Sequence, residues 1–426
     1  MKLNYKRTFF IGLAFLSISA FWQMYDNIIP LILQNTFGLT DSVIGGIMAI
    51  DNVLAVFLLP IIGSLSDKVD TRLGKRTPFV VGGTIAAVIL MMLMPLADAT
   101  EQIGLFIVAL ALTLIAMAMY RSPAVALMPD LTPKPLRSSA NAVINLMGAV
   151  GGVYTLILIQ FLVGEGERPS YLPIFLGVAA MMLVAIVVLL ITIKEKSLAA
   201  QIAEEYPEEA EKEEKAAQEK AGLTKDVKRS LGFILVSIFL WFTAYNAVTT
   251  AFSRYATTVW KMEGGGYASC LMVATVAAII SYIPIGIVAS KIGRKKTILA
   301  GLVMMFISYS AVFFFPTYHV AANFFFALIG VGWASVGVNS LPMVVEMSKN
   351  SDIGKYTGLY YTFSMTAQIF TPIVSGALLQ YISYNTLFPY AMFFTACAFL
   401  TMSMVKHGDS KPEQKKRLLE NFDVED

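Results

Sequence analysis

The sequence predicts an all-α membrane protein: twelve transmembrane helices in two six-helix halves, with both termini cytoplasmic. Three observations carry that expectation. The 426-residue chain is 57% hydrophobic and only 14% charged, too little charge to cover a soluble surface. Apolar runs of roughly 20 residues or more, long enough to cross the hydrocarbon core as helices, recur along its whole length. A basic loop at 63–78, GSLSDKVDTRLGKRTP, returns in altered form at 286–297 as GIVASKIGRKKT, which marks an internal duplication.

The first half covers 1–194. Its opening run, 8–37, resembles a signal peptide at its start, but the apolar stretch continues past Trp22 to Leu33 with no small-residue cleavage site, so it reads as span 1. Gln23, Asp26, Asn27, Pro30 and Gln34 recur there at helical spacing and make one polar stripe. Span 2 is 42–65, with Asp51 and Asn52 inside it; spans 3 and 4 are 77–97 and 102–128, with Arg121 deep in the latter. Span 5, 138–164, carries Asn141, Asn145, Gly148 and Gly152, and span 6 is 171–194. All must be helical, because lipid offers no partner for open backbone groups.

Residues 195–229 are a different material, rich in Glu, Lys and Ala, and read as a solvated cytoplasmic linker with helical patches. The second half, 230–405, holds spans at 230–258, 265–290, 297–316, 320–345, 353–381 and 386–405. Span 7 carries Trp241, Tyr245, Asn246, Thr249, Thr250 and Arg254; span 10 carries Trp333 and Asn339; span 11 carries Tyr361, Ser364 and Gln368. The tail, 406–426, is charged and carries Leu418, Leu419 and Phe422 at helical spacing.

Charge fixes the expected orientation. Of 32 Lys and Arg residues, all but Arg121, Arg168, Arg254 and Lys261 lie before span 1, in loops that follow even-numbered spans, or in the tail. The positive-inside rule places those segments in the cytoplasm. Catalytic chemistry is not expected. His319 and His407 lie at span ends, Cys270 and Cys397 lie in apolar runs, and there is no HExxH, phosphate loop or nucleophile elbow. No metal, cofactor or nucleic acid is implied; a monomer in the plasma (inner) membrane is.

The two basic hairpins read as gates. Asp67 ends span 2 and is followed by Arg72, Lys75 and Arg76, while Ser290 takes the place of Asp67 in the second copy. Asp130 and then Arg137 flank the loop after span 4; Glu346 and Lys355 flank the loop after span 10. A carboxylate at such a corner can pair with loop cations or cap a neighbouring helix, and the second latch, lacking its carboxylate, should be the weaker. Arg254, in the outer half of span 7, either snorkels or pairs with Asp51 as an outer gate.

These hairpins resemble the loop signature of the major facilitator superfamily. Asp67 through Pro78 resemble the first hairpin of sucrose–proton symporters and the wider glycoside–pentoside–hexuronide transporters. Span 4, with Tyr120-Arg-Ser-Pro-Ala-Val-Ala-Leu-Met-Pro-Asp130, is similar to the fourth span of plant sucrose carriers. Their arginine would fall at Val125, one turn beyond Arg121. Sodium-coupled melibiose-type carriers place paired aspartates where this chain has Ala55 and Leu59, which points to protons. Gly148 to Gly152 lacks the proline of drug-efflux antiporters.

The resemblance implies the major facilitator fold, two parallel repeats rocking around a midplane site. Spans 1 and 4 flank the cavity in that fold, so Asp26 and Arg121 are expected to meet there. Burial disfavours the charged carboxylate and Arg121 favours it, a balance suited to taking and releasing a proton; Asp51 is the rival proton site. The expected solute site draws on Trp22, Gln23, Asn27, Arg121, Asn145, Tyr245, Asn246, Trp333, Asn339, Tyr361 and Gln368, because amides and rings suit a hydroxyl-rich sugar or glycoside. The reading is a proton-coupled sugar or glycoside symporter working by alternating access. An exporter of another small solute and a non-transporting membrane sensor stay open as alternatives.

Overall fold

Every apolar run is helical in the computed structural model, which describes residues 3–133, 136–166, 169–205, 224–347 and 353–409. The helices are α1 (Tyr5–Asn35), α2 (Asp41–Lys68), α3 (Thr77–Met91), α4 (Leu93–Ala99), α5 (Ile103–Asp130), α6 (Arg137–Leu162), α7 (Leu172–Thr192), α8 (Glu195–Glu205), α9 (Lys225–Thr258), α10 (Ala268–Ile292), α11 (Arg294–Phe313), α12 (Ala321–Glu346), α13 (Ile353–Tyr381) and α14 (Leu387–Ser403). Counting α3 with α4 and leaving out α8, 12 helical stretches among the described residues are long and apolar enough to cross a membrane. Arg168, the middle of the linker at 206–223, and the tail from 410 with Leu418, Leu419 and Phe422 lie outside the described residues.

Two boundaries differ from expectation. The third span is broken at Met92, because Pro95 has no N–H to give the carbonyl one turn back and the helix restarts beside it. The seventh begins inside the charged linker, at Lys225, where Asp226 suits the positive end of a helix. Elsewhere the spans end within a few residues of the apolar runs.

The chain divides into two units. The first is Met1–Thr40, Ile50–Tyr206 and Met262–Ser269; the second is Asp41–Ala49, Pro207–Lys261 and Cys270–Asp426. In the first unit α1 lies on α6 through small residues: a Cβ on Gly151 would run into the Leu16 backbone, and Gly148 faces the Ser19 hydroxyl. Thr155 Oγ1 donates to the Ala20 carbonyl at 2.9 Å across the same seam. The buried Tyr120 of α5 bonds the Ala14 carbonyl at 2.8 Å and shares a short hydrogen bond with Ser17, while Gly83 lets α3 approach the Tyr120 backbone. Between helices that meet in lipid, close packing and polar contacts replace the hydrophobic drive.

In the second unit Gly301 and Gly332 bring α11 and α12 together, and Gly330 brings α12 onto the backbone of Ala274 in α10. Phe252, Tyr255, Trp260 and Phe388 meet edge to face in the same unit, and Phe326 lies tilted against Phe252. Faces left uncovered are apolar, as at Phe57, 65% exposed, and Ile280, 67% exposed, which suits contact with lipid. Replacing Gly151 by Val is expected to overpack the α1–α6 seam by about 1–3 kcal/mol and to lower the melting temperature in detergent. An unchanged melt would show that the two backbones can part freely.

Candidate functional site

α1, α2 and α5 bring the intramembrane charges of the first unit together. Trp22, Asp26, Asp51, Asn52 and Arg121 are all half-buried. Asp51 interacts electrostatically with both Asp26 and Arg121, and Asn52 Nδ2 donates to its Oδ1 at 2.8 Å. The Arg121 guanidinium lies 5.7 Å from the centroid of the Trp22 ring, a cation–π arrangement. Trp22 in turn meets Tyr25 edge to face. The expected ion pair of Asp26 with Arg121 is not found among the described residues: the guanidinium lies over Trp22 and exerts its charge on Asp51, and Asp26 has Asp51 as its charged neighbour. With both carboxyls ionised, the two aspartates and one guanidinium would carry one net negative charge, which a single proton cancels.

The polar stripes divide into accessible and packed residues. Asn27 is fully buried and its Nδ2 donates to the Gln23 carbonyl at 2.9 Å; Asn339 is 1% exposed and its Nδ2 donates to the Ser335 carbonyl at 2.9 Å. Both fold back on their own helices, so neither meets a solute in this structure. Helical spacing identifies a stripe but not which neighbour it faces. Gln23, Asn145, Tyr245, Asn246, Trp333, Tyr361 and Gln368 keep partial exposure. The Nδ2 atoms of Asn145 and Asn246 have no hydrogen-bond partner among the described residues.

In the second unit these residues build an aromatic wall. Tyr245 stacks flat on Trp333, with centroids 3.8 Å apart and an interplanar angle of 6°. Phe242 stands edge-on to Trp333 at 5.2 Å and to Tyr360 at 6.3 Å, and Tyr360 meets Tyr361 at 5.5 Å. Ser340 and Tyr360 share a hydrogen bond of 3.1 Å. Phe242 and Tyr360 escaped the sequence reading because one more ring in an apolar run carries no signal.

At the hairpin end Arg76 is the hub. Its side chain pairs with Asp67, donates through Nε to Asp130 at 2.8 Å, and bonds the Ser66 hydroxyl. Burial alone would lower its pKa; the bonds and charges of Asp130 and then Asp67 outweigh that, and it is raised. Arg72 and Lys75 are exposed and solvated. Arg137 opens α6, but its side chain lies outside the described residues. In the second copy Arg294 pairs with Glu346, while the Ser290 hydroxyl only returns to the Ile287 carbonyl at 2.7 Å. The acids that end α5 and α12 thus pair with the hairpin arginines, and among the described residues Arg76 has two ion-paired carboxylates where Arg294 has one. Replacing Asp67 by Asn is expected to slow transport roughly two- to fivefold, the weight of a half-exposed ion pair, without impairing membrane insertion. Wild-type flux in that variant would remove Asp67 from the gate.

Arg254 neither snorkels nor reaches Asp51. It is 2% exposed, and its Nη1 donates to Asp41 Oδ1 at 2.5 Å. The Tyr384 hydroxyl donates to the same oxygen at 2.8 Å, and the Gln380 carboxamide accepts from the Ser42 N–H at 3.0 Å. Asp51 stands ten residues further along α2, a rise of about 15 Å, so it cannot serve this arginine.

Known proteins agree with this architecture. The sequence profile described as MFS/sugar transport protein matches residues 10–415. No curated protein sequence matches the chain. Among solved structures it is similar to the nucleoside transporter NupG, at TM-score 0.70 and 14% identity over 95% of this chain and 100% of that one. It is also similar to a bacterial homologue of the iron transporter ferroportin, at TM-score 0.67 and 14% identity over 94% and 99%. The xylose transporter XylE from E. coli gives TM-score 0.65 and 15% identity over 97% of each chain.

Proposed function

The chain belongs to the MFS/sugar transport protein family, and from that premise we propose that this integral multi-pass membrane transporter carries a sugar or glycoside together with a proton. The observation that carries the reading is the trio of Asp26, Asp51 and Arg121, half-buried inside the first unit's membrane-spanning helices. Ionisable groups at that depth are costly, about 2.5–3.5 kcal/mol each on insertion scales, and mark ion pathways. One proton cancels the trio's net charge and so lowers the cost of holding it in an apolar environment. Ala55 and Leu59 leave α2 without further carboxylates around Pro60 for a sodium ion.

The solute engages the aromatic wall. A flat pair such as Tyr245 and Trp333 offers a ring face to the C–H face of a sugar, and Asn246, whose Nδ2 has no partner among the described residues, and Gln368 of the same unit supply donors and acceptors for hydroxyls. With the hairpin end in the cytoplasm, as the lysine and arginine distribution supports, the Arg76 and Arg294 pairs stand on the inner side, each tying together the helices of its own half.

Reconstitution in liposomes tests the reading. A panel of sugars and glycosides is added outside, and the external pH is followed with an impermeant dye. Alkalinisation that follows one solute is the expected result, and Trp333→Ala is expected to weaken its half-saturation about tenfold, the weight of a lost ring contact. Solute flux without any proton movement would overturn the coupling. Binding without flux would instead make the protein a sensor.

A further inference from the structure

Beyond transport itself, we infer that Glu195 and Asp409 are matched positioning residues, each bracing the hairpin whose arginine locks its own half. Glu195 follows the last span of the first half and opens α8, yet it is only 4% exposed. Its carboxylate accepts from the N–H of Lys75 at 2.7 Å, of Arg76 at 2.9 and 3.1 Å and of Thr77 at 2.8 Å, and from the Thr77 hydroxyl at 2.7 Å. These amides are the otherwise orphaned donors at the positive end of α3. Gly74 turns them inward with φ of +116°, and a Cβ there would strike the Glu195 carboxylate. Arg76 is thus fixed twice: Glu195 holds its backbone, and Asp67, Asp130 and Ser66 hold its guanidinium. Next to it, Lys196 reaches Asp70 at 3.0 Å and ties α8 to the same hairpin.

The second half repeats the parts. Asp409 follows its last span and accepts from the N–H of Lys295 at 2.8 Å. Gly293 supplies the left-handed turn, with φ of +98°, and a Cβ there would meet Asp409 Oδ1 at 3.0 Å. Arg294, next in the chain, pairs with Glu346 at the end of α12, as Arg76 pairs with Asp130 at the end of α5. Lys295 Nζ also donates to the carbonyls of Ser403 at 2.8 Å and Val405 at 2.6 Å, binding the end of α14 to the hairpin. Left-handed glycine, arginine, helix-ending acid and carboxylate therefore recur in that chain order in both halves. The second copy is the sparser, with one amide in place of several.

Hydrogen–deuterium exchange on the full-length protein in lipid nanodiscs tests this. Glu195→Gln is expected to speed exchange of the 75–77 amides at least about tenfold, the equivalent of a lost charge-assisted hydrogen bond. It should also speed exchange in the last turn of α5 at Asp130, whose link to Glu195 runs through Arg76. Glu195→Asp should retain most protection at both places. Asp409→Asn should act alike at Lys295 and at the end of α12, and leave the first half unchanged. Should Glu195→Gln fail to give monodisperse protein, Thr77→Val, which removes one hydroxyl bond, is expected to give a smaller rise at both places. Faster exchange at 75–77 with a wild-type α5 terminus, in either variant, would reduce Glu195 to a helix cap and overturn the proposal. None of these readouts requires a transported solute, so the result stands apart from the symport test.

Discussion

Liposomes containing Asp26→Asn are expected to exchange solute at close to the wild-type rate while losing its accumulation against a gradient. The two activities separate because they ask different things of the same trio. Exchange of solute for solute needs the binding surface and the rocking of the protein, and asparagine keeps the size and hydrogen-bonding capacity of aspartate at that place. Accumulation driven by a pH difference needs a group that binds a proton on one side and releases it on the other, which asparagine cannot do. With Asp26 neutral, Asp51 and Arg121 balance each other and the trio no longer carries the net charge that a proton cancels. Coupling free energies between sites are typically about 1–3 kcal/mol, so the accumulation ratio should fall by about 5- to 150-fold and stop responding to imposed pH. Asp51→Asn should do the same, and should in addition free Arg121 from its carboxylate. If Asp26→Asn still accumulates solute and Asp51→Asn does not, Asp51 alone carries the proton. If both accumulate as wild type does, protons are not the coupling ion at this site.

How much of this was legible in the residues differs by feature. The spans followed from hydropathy because lipid leaves a helix no alternative, and the duplication followed from one repeated loop. The latch around Arg76 was half legible: Asp67 and Arg76 stand close in sequence, but that Asp130 completes it depends on how α5 returns to the hairpin. Glu195 was hidden by composition. It opens a run of glutamates and lysines that reads as tether, and nothing in the local sequence sets it apart from the glutamates that follow, although it sits against the amides of α3. Asn27 and Asn339 were legible as polar residues at helical spacing, yet their direction was not, because asparagine reaches its own helix's carbonyls as readily as a solute. Arg254 shows the same limit for charge. A buried guanidinium must find a carboxylate, but Asp51 lies inside a span while Asp41 looks like an ordinary helix-opening acid, and only the fold decides between them.

That pair gives the largest expected effect on stability. Asp41→Ala should cost about 3–5 kcal/mol, because it leaves a guanidinium buried without its counter-charge. Arg254 and Asp41 have side chains 3% and 10% exposed, so solvent screens little of the interaction. Arg254 Nε already lacks a partner among the described residues, so the guanidinium is under-satisfied even with Asp41 in place. The Tyr384 hydroxyl would lose its acceptor in the same step, and Tyr384→Phe alone should cost only about 1 kcal/mol, a single hydrogen bond. Removing both charges with apolar side chains of similar size, Asp41→Leu with Arg254→Met, should restore most of the melting temperature, since no uncompensated charge remains. The pair also has a mechanical consequence. It clamps the first turns of α2 to α9 where Gly45 and Gly376 let α2 and α13 touch backbone to backbone. If these turns must swing free during transport, the apolar double variant, restored in stability but without a charged clamp, should show altered transport kinetics at an unchanged melting temperature. A double variant that melts and transports as wild type does would leave the pair a structural tie alone, and a single Asp41→Ala that melts as wild type does would show that water or another group reaches Arg254.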